Sequence, residues 1–320
     1  MTARGRLPTL TAVSLELSEF QKTYVYETRA PVAEVLADLK ALETLDAKAE
    51  QKRRMLWIAA WVCMGLTVAL FLVPFLVLLA IASFATGIAL FIIRSRASRS
   101  DLDDRRYGLV AALLQRFQVD LDANAPVDVK LDLAPVDAER KCVGKRKRGR
   151  WDSEDFADTW LSLHGRFADG THLHLSAVAH LQKRRRTGRG SSGKTKTKTK
   201  RKGKSLLQVG LRVKPERFPG LTALEARARD AVKLPPGARL KRLRVAEDRV
   251  ELRVLLDEDW VARPPKAPRP SEVPSGDRPR PEAPSKTDAS RAVTMMLLSL
   301  YQVLNYSSSR GQPGNVRSLP

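Results

Sequence analysis

Two cysteines among 320 residues are too few for a disulfide framework; Cys63 stands in an apolar run and Cys142 in a basic one, a usage that agrees with a reducing cytoplasm. The first fifty residues contain no short apolar segment followed by a small-residue cleavage site, so no secretory signal is expected and an internal segment has to direct any membrane insertion. Chemistry-bearing motifs are equally sparse. No nucleophile elbow, HExxH pair or kinase set occurs. GRGSSGKT from Gly188 to Thr195 meets the bare P-loop spacing, but it lies in a cationic Gly/Ser/Thr-rich stretch with no helical apolar period after it, which argues against a nucleotide site. The four histidines, His164, His172, His174 and His180, fall on one short stretch. A metal centre there would need further ligands and a supporting shell that this polar surface does not offer. No catalytic residue, metal or cofactor is expected, and the chain reads as non-enzymatic.

What is present begins with an uninterrupted apolar run. Met55 to Ile93 holds 39 residues without one charge, bracketed by Lys52, Arg53 and Arg54 before it and by Arg94, Arg96 and Arg99 after it. One helix of that length would be about 58 Å long, roughly twice the ~30 Å hydrocarbon core. Two helices of about 19 residues fit, with Pro74 at the start of the second. Residues 55–93 therefore read as a transmembrane helical hairpin. Basic residues at both outer ends place both termini in the cytoplasm, and Ala, Arg, Leu and Pro richness points to the bacterial inner membrane. The turn Leu72–Phe75 carries no polar residue, so a re-entrant wedge is the rival to two full spans.

Around the hairpin the sequence divides into an N-terminal segment (1–30), an amphipathic helix (31–54), a second one after the hairpin (94–120), a β-rich domain (125–260), a Pro-rich linker (261–287), an apolar helix (288–306) and a disordered tail (307–320). The two amphipathic arms have similar lengths and would extend the membrane helices as an antiparallel stalk; two separate helices folded onto the soluble domain are the alternative. Beyond Pro126 the apolar period changes to two: Val127–Leu133, Leu161–Phe167, Leu173–Leu181 and Leu207–Val213 alternate, followed by Leu240–Val245 and Val250–Leu256. These six strands, with a short helix over Leu221–Val232, make an antiparallel sheet. The fold class is α+β with membrane helices. One register can be argued in advance: Ala168, Asp169 and Gly170 form a three-residue hairpin loop, which sets Leu163 against Leu175 inside and His164 against His174 outside. Val293–Leu304 is too short to span a bilayer and has to bury its apolar stripe of Leu297, Leu300, Tyr301 and Leu304, by preference on the sheet domain. The helical stalk, the membrane interface, and a protein partner or a second copy of the chain engaged through 288–306 are the other candidate covers.

Charge is concentrated in two places. Arg140 to Arg150 contains seven Lys or Arg and Lys183 to Lys204 twelve, with no acid in either, so these segments carry +19 of the formal +22. Both are expected as basic loops, brought to one edge of the sheet by the 161–181 hairpin. The candidate anionic-partner residues are Lys145, Arg146, Lys147, Arg148 and Arg150 in the first, and Lys183, Arg184, Arg185, Arg186, Lys194, Lys196, Lys198, Lys200, Arg201, Lys202 and Lys204 in the second. For a membrane-anchored domain the nearest polyanion is the bilayer, so lipid headgroups are the expected partner. Nucleic acid is the alternative, weakened because no Phe, Tyr or Trp lies between Lys183 and Lys204. The function expected is an adaptor, sensor or scaffold held in the membrane.

Overall fold

A computed structural model describes residues 20, 22–72, 74–97, 102–122, 125–189, 193–263 and 286–310. They fall into two compact units, Met1–Leu36 with Arg105–Pro320, and Ala37–Asp104. The expected linker over 264–285, most of the N-terminal segment and the tail beyond Arg310 lie outside the described residues.

Helix α1 (Val32–Phe71) runs unbroken, so the first amphipathic arm and the first apolar helix are one element. A short 3-10 turn, Pro74–Leu76, leads into α2 (Val77–Ala97), as the missing N–H of a proline at the junction requires. Small side chains bring α1 and α2 together in the smaller unit. Ser83 Oγ donates to the Cys63 carbonyl at 2.9 Å, and Trp61 meets Phe91 edge-on at 6.1 Å. A Cβ added at Gly87 would lie 3.4 Å from Met64 Sδ. Such contacts are the usual means of close helix approach where no hydrophobic effect drives it. The large apolar side chains are left outside: Leu72 is 81%, Leu78 83% and Phe75 95% exposed. Both helices are long and apolar enough to cross a membrane.

The second arm departs from expectation. Residues 102 and 103 are not helical, and α3 (Asp104–Phe117) is a separate helix, so no second continuous stalk forms. Its stripe of Leu109, Val110, Leu113, Leu114 and Phe117 is buried, and Phe117 packs edge-on against Phe167 of the sheet unit at 6.3 Å. Five large side chains buried at ~1.5–3 kcal/mol each outweigh the few hydrogen bonds a longer helix would add.

Eight antiparallel strands are present among the described residues: β1 (Val25–Ala30), β2 (Val127–Asp132), β3 (Cys142–Arg148), β4 (Trp151–Arg166), β5 (His172–Arg189), β6 (Thr195–Arg212), β7 (Arg239–Val245) and β8 (Arg249–Asp257). Their order is β1-β2-β4-β5-β6-β8-β7, with β3 paired to the first half of β4. All six expected strands are there; β1 and β3 are additional. The argued register holds, with Leu163 opposite Leu175 and His164 opposite His174, and Gly170 supplies the left-handed residue at φ 86°. One row, Val129–Leu163–Leu175–Val209–Leu252, crosses five strands on the covered face, and each member is at most 1% exposed. The next row on the other face reads Asp128–His164–His174–Gly210–Glu251, so the sheet is apolar on one side and polar on the other.

The covered face lies beneath α3, the short α4 (Glu225–Ala231) and the C-terminal α5 (Ala289–Arg310). Asp288 caps α5 by accepting the Arg291 N–H at 3.0 Å, and Val293, Met296, Leu300 and Leu304 are buried. Leu297 is buried as well, whereas Tyr301 is half-buried and donates its hydroxyl to Asp169 in the β4–β5 turn at 3.2 Å. Burial and the Asp169 carboxylate both raise the Tyr301 pKa above that of a free phenol.

A charged cluster is enclosed in the same unit. Asp158 on β4, 2% exposed, receives Arg106 of α3 at 2.8 Å on one carboxylate oxygen and Lys141 at 2.9 Å on the other. Lys141 also reaches Asp132 at 3.1 Å and the Ala134 carbonyl at 2.8 Å. Lys141 thus leaves the basic segment of 140–150 and becomes a core residue. Arg106 and Arg105 each lie over one ring of a parallel Trp160–Trp260 stack, 5.3 and 5.2 Å from the ring centres.

Candidate anion-binding face

The segments expected as basic loops are strands. β5 and β6 stay in register from His172–Arg212 to Arg189–Thr195 without a slip, and β3 pairs with β4 from Gly144–Asp155 to Arg148–Trp151. The reason is propagation. Once Leu175 and Val209 fix the register inside the core, each further pair adds ladder hydrogen bonds without closing a new loop, and Thr187, Thr195, Thr197 and Thr199 are β-branched. Gly149 and Gly193, at φ 61° and 73°, take the left-handed positions at the two turns.

Pairing brings the two basic segments together, as the hairpin argument anticipates. Arg146–Ser153–Arg184–Lys200 is one row across β3, β4, β5 and β6; Lys145–Glu154–Lys183–Arg201 is the next, and Lys147–Asp152–Arg185–Thr199 lies on the far side of the first. Arg150 sits exposed in the β3–β4 turn and Lys194 just before β6. Acidic residues of β4, between the basic strands, and Asp137 in the segment between β2 and β3 engage part of this charge. Arg146 pairs with Asp155, Lys183 with Asp137, and Lys145 with Glu154 at 3.5 Å. The Arg146 hydrogen bond, then that of Gln182, holds the Asp155 carboxyl below its ordinary pKa, and Lys183 does the same for Asp137.

The β6 lysines remain. Lys196, Lys198 and Lys202 are exposed and have no carboxylate at ion-pair distance among the described residues, and Lys200 lies over the Trp151 ring at 5.5 Å from its centre. Trp151 was not legible as a site residue, because it lies outside both basic runs and only the β3–β4 turn carries it alongside them. Like charges stand directly opposite one another at Arg184–Lys200, Arg186–Lys198 and Lys183–Arg201. Such pairs destabilise an antiparallel ladder by roughly 0.2–1 kcal/mol each. Lysines on an open strand edge also hinder edge-to-edge aggregation, and β6 is unpaired on its outer side before Lys204. That purpose does not account for Arg184 and Arg185 on β5, where the strand is paired with both β4 and β6.

An open groove of about 1050 Å³ on the polar face of the sheet is lined by His164, His172, His174, Arg212, Arg249 and Glu251. Its charge is internally balanced: Asp248 pairs with Arg212 at 3.5 Å and with Arg249 at 3.3 Å, and Arg249 reaches Glu251 at 3.9 Å. The His164 and His174 rings stack in parallel with centres 4.4 Å apart, so their nitrogens do not converge on one point. Among the described residues no three metal-ligating side chains gather. Ser205 on β6 receives the Trp260 indole N–H at 2.9 Å.

Burial, and then the neighbouring His164, lowers the His174 pKa, with Glu251 opposing them. The neutral ring is therefore favoured by folding. This contribution is complete above the unfolded-state value of about 6.5 and is lost as pH falls through the depressed folded value. Thermal midpoints measured at neutral and mildly acidic pH should thus fall less for His174→Gln than for the parent. An equal drop in both would assign the acid sensitivity to other groups.

Comparison with known proteins brings no match: no family model fits the chain, and no curated protein and no solved structure is significantly similar to it.

Proposed function

We propose that the chain is a non-enzymatic integral membrane protein of the bacterial inner membrane, with both termini cytoplasmic, whose sheet domain is an adaptor, sensor or scaffold that contacts anionic lipid headgroups. The observation that carries this reading is the gathering of β3, β5 and β6 cations at one end of the sheet, with three like-charge cross-strand pairs, in a chain that also has two helices apolar enough to cross a bilayer. A ladder that opposes its own charges gains when a polyanion lies over it. The membrane placement rests on the lipid-compatible exterior of α1 and α2 and on Lys and Arg at both outer ends of the apolar run.

Nucleic acid is the second reading, and Trp151 beneath Lys200 is the observation in its favour. A single aromatic is a thin platform for base stacking, which relies on successive rings. A Trp among cations suits the headgroup layer equally well.

Reporters fused at Met1 and at Pro320 should both score as cytoplasmic; a periplasmic signal from either would overturn this topology. A cysteine placed at Leu72 should be labelled from outside by a membrane-impermeant reagent if α1 and α2 both span, and protected if they form a re-entrant wedge. For the headgroup contact, the full chain held in phosphatidylcholine nanodiscs should bind vesicles containing phosphatidylglycerol and ignore pure phosphatidylcholine vesicles. Equal binding to the two would refute it.

A further inference from the structure

We infer that the headgroup contact is made by one face of the β3–β6 end, the face that carries the β6 lysines and Trp151, and that the face carrying the β6 threonines takes no part; this rests on the reading just proposed. The register assigns the faces, because directly paired residues point to the same side of a sheet and neighbours in sequence to opposite sides. Lys196, Lys198, Lys200 and Lys202 share a side with Arg184 and Arg186 of β5 and with Arg146 and Arg148 of β3. Asp155 is the single acid among them. The other side holds Thr195, Thr197 and Thr199, and its cations meet Asp152 and Glu154 on β4 and Asp137 beside Lys183. Eight cations against one carboxylate on the lysine side, or nine against two with Lys204 and its β8 partner Asp257, contrast with six against three on the threonine side.

Shape favours a bilayer over a nucleic acid as the occupant. Alternate residues on a strand recur at roughly 6.8 Å and neighbouring strands at about 4.8 Å, so the lysine side is a broad array, four strands wide at the rows of Lys200 and Lys202 and two strands wide beyond them at Lys198 and Lys196. A planar headgroup layer meets all of its rows together, whereas a strand or duplex of nucleic acid meets the rows along one track. Trp151 is half-buried in the array with Lys200 above its ring, an arrangement that lets an amphipathic ring settle at headgroup depth while the ammonium groups hold phosphates.

The test compares two variants that lose the same charge from opposite sides. Lys196→Gln, Lys198→Gln, Lys200→Gln and Lys202→Gln are combined in one full-length chain; Lys147→Gln, Arg185→Gln, Arg189→Gln and Arg201→Gln are combined in the other. Each chain sits in phosphatidylcholine nanodiscs and is titrated with vesicles of mixed phosphatidylcholine and phosphatidylglycerol. With about fivefold in affinity carried by each cation near the surface, the lysine-side variant should bind at least about 30-fold more weakly and the other less than about threefold. The charge-preserving set Lys196→Arg, Lys198→Arg, Lys200→Arg and Lys202→Arg should bind like the parent. Lys198→Gln alone, expected to cost about fivefold, serves if the quadruple variant does not fold. Equal losses on the two sides would overturn the face assignment and leave the headgroup reading standing. No loss on either side would overturn both. An oligonucleotide bound more tightly than the vesicles, and lost with the lysine-side variant, would also overturn both and give the face to nucleic acid.

Discussion

Replacing Asp158 with Ala should destabilise the sheet unit by about 3–5 kcal/mol, the range seen when one partner of a buried ion cluster is removed. Its carboxylate is the shared acceptor of Arg106 and Lys141, and all three side chains are at most 6% exposed. The variant leaves Arg106 without this buried carboxylate and Lys141 with Asp132, at 3.1 Å, as its remaining acidic partner. Arg106 additionally lies over Trp160, which stacks on Trp260, so its displacement would loosen the junction of α3 with β4 and with the chain after β8. Denaturant unfolding of the full chain in detergent, followed by far-ultraviolet circular dichroism, measures the change. A triple replacement, Arg106→Met, Lys141→Met and Asp158→Leu, should recover much of the loss, because well-packed apolar groups replace buried ions at little or no cost. A shift under about 1 kcal/mol for Asp158→Ala would mean that water reaches the cluster and compensates it.

Ending the chain before Ala289 should have a still larger effect. Val293, Met296, Leu300 and Leu304 are buried along α5, and at ~1.5–3 kcal/mol each their removal forfeits roughly 6–12 kcal/mol as an upper bound. That approaches the whole stability of an ordinary domain. The same truncation uncovers the apolar side of the sheet, so the shortened chain should unfold or aggregate. Leu300→Asp gives a graded version, a charge placed at a position 1% exposed, and should lower the midpoint without deleting a segment. If the truncated protein melts at the parental temperature and stays monodisperse, the helix contributes nothing to this unit, and a membrane or partner role for 289–310 would replace docking.

The sequence by itself determined the elements whose burial has a period. A 39-residue uncharged run with a central proline has to become two helices, and α1 and α2 divide there. Six alternating stretches have to be half-buried strands, and a three-residue loop ending in Gly170 settles how β4 meets β5, because a one-residue slip would turn Leu163 and Leu175 outward. Val293–Leu304, apolar and too short to span a bilayer, has to bury its stripe against another surface.

Only the tertiary structure decided the rest, and the physical reason is common to each case. Apolar periodicity records contact with the core; an element that pairs without burying apolar side chains leaves no such record. β3 and the outer halves of β5 and β6 are strands because neighbours extend their ladders, so residues read as loops, Lys183–Arg189 and Thr195–Lys204, are paired strands with lysines on one side of β6 and threonines on the other. β1 is similarly defined by its pairing with β2. α3 has the stripe of an amphipathic helix, but a stripe does not say which surface will cover it, and the sheet unit rather than a stalk does so. Lys141 and Trp151 complete the pattern. One is drawn from a basic run into the core by Asp158, the other is brought from outside the runs to the cationic face by a tight turn, and both outcomes depend on partners far apart in sequence.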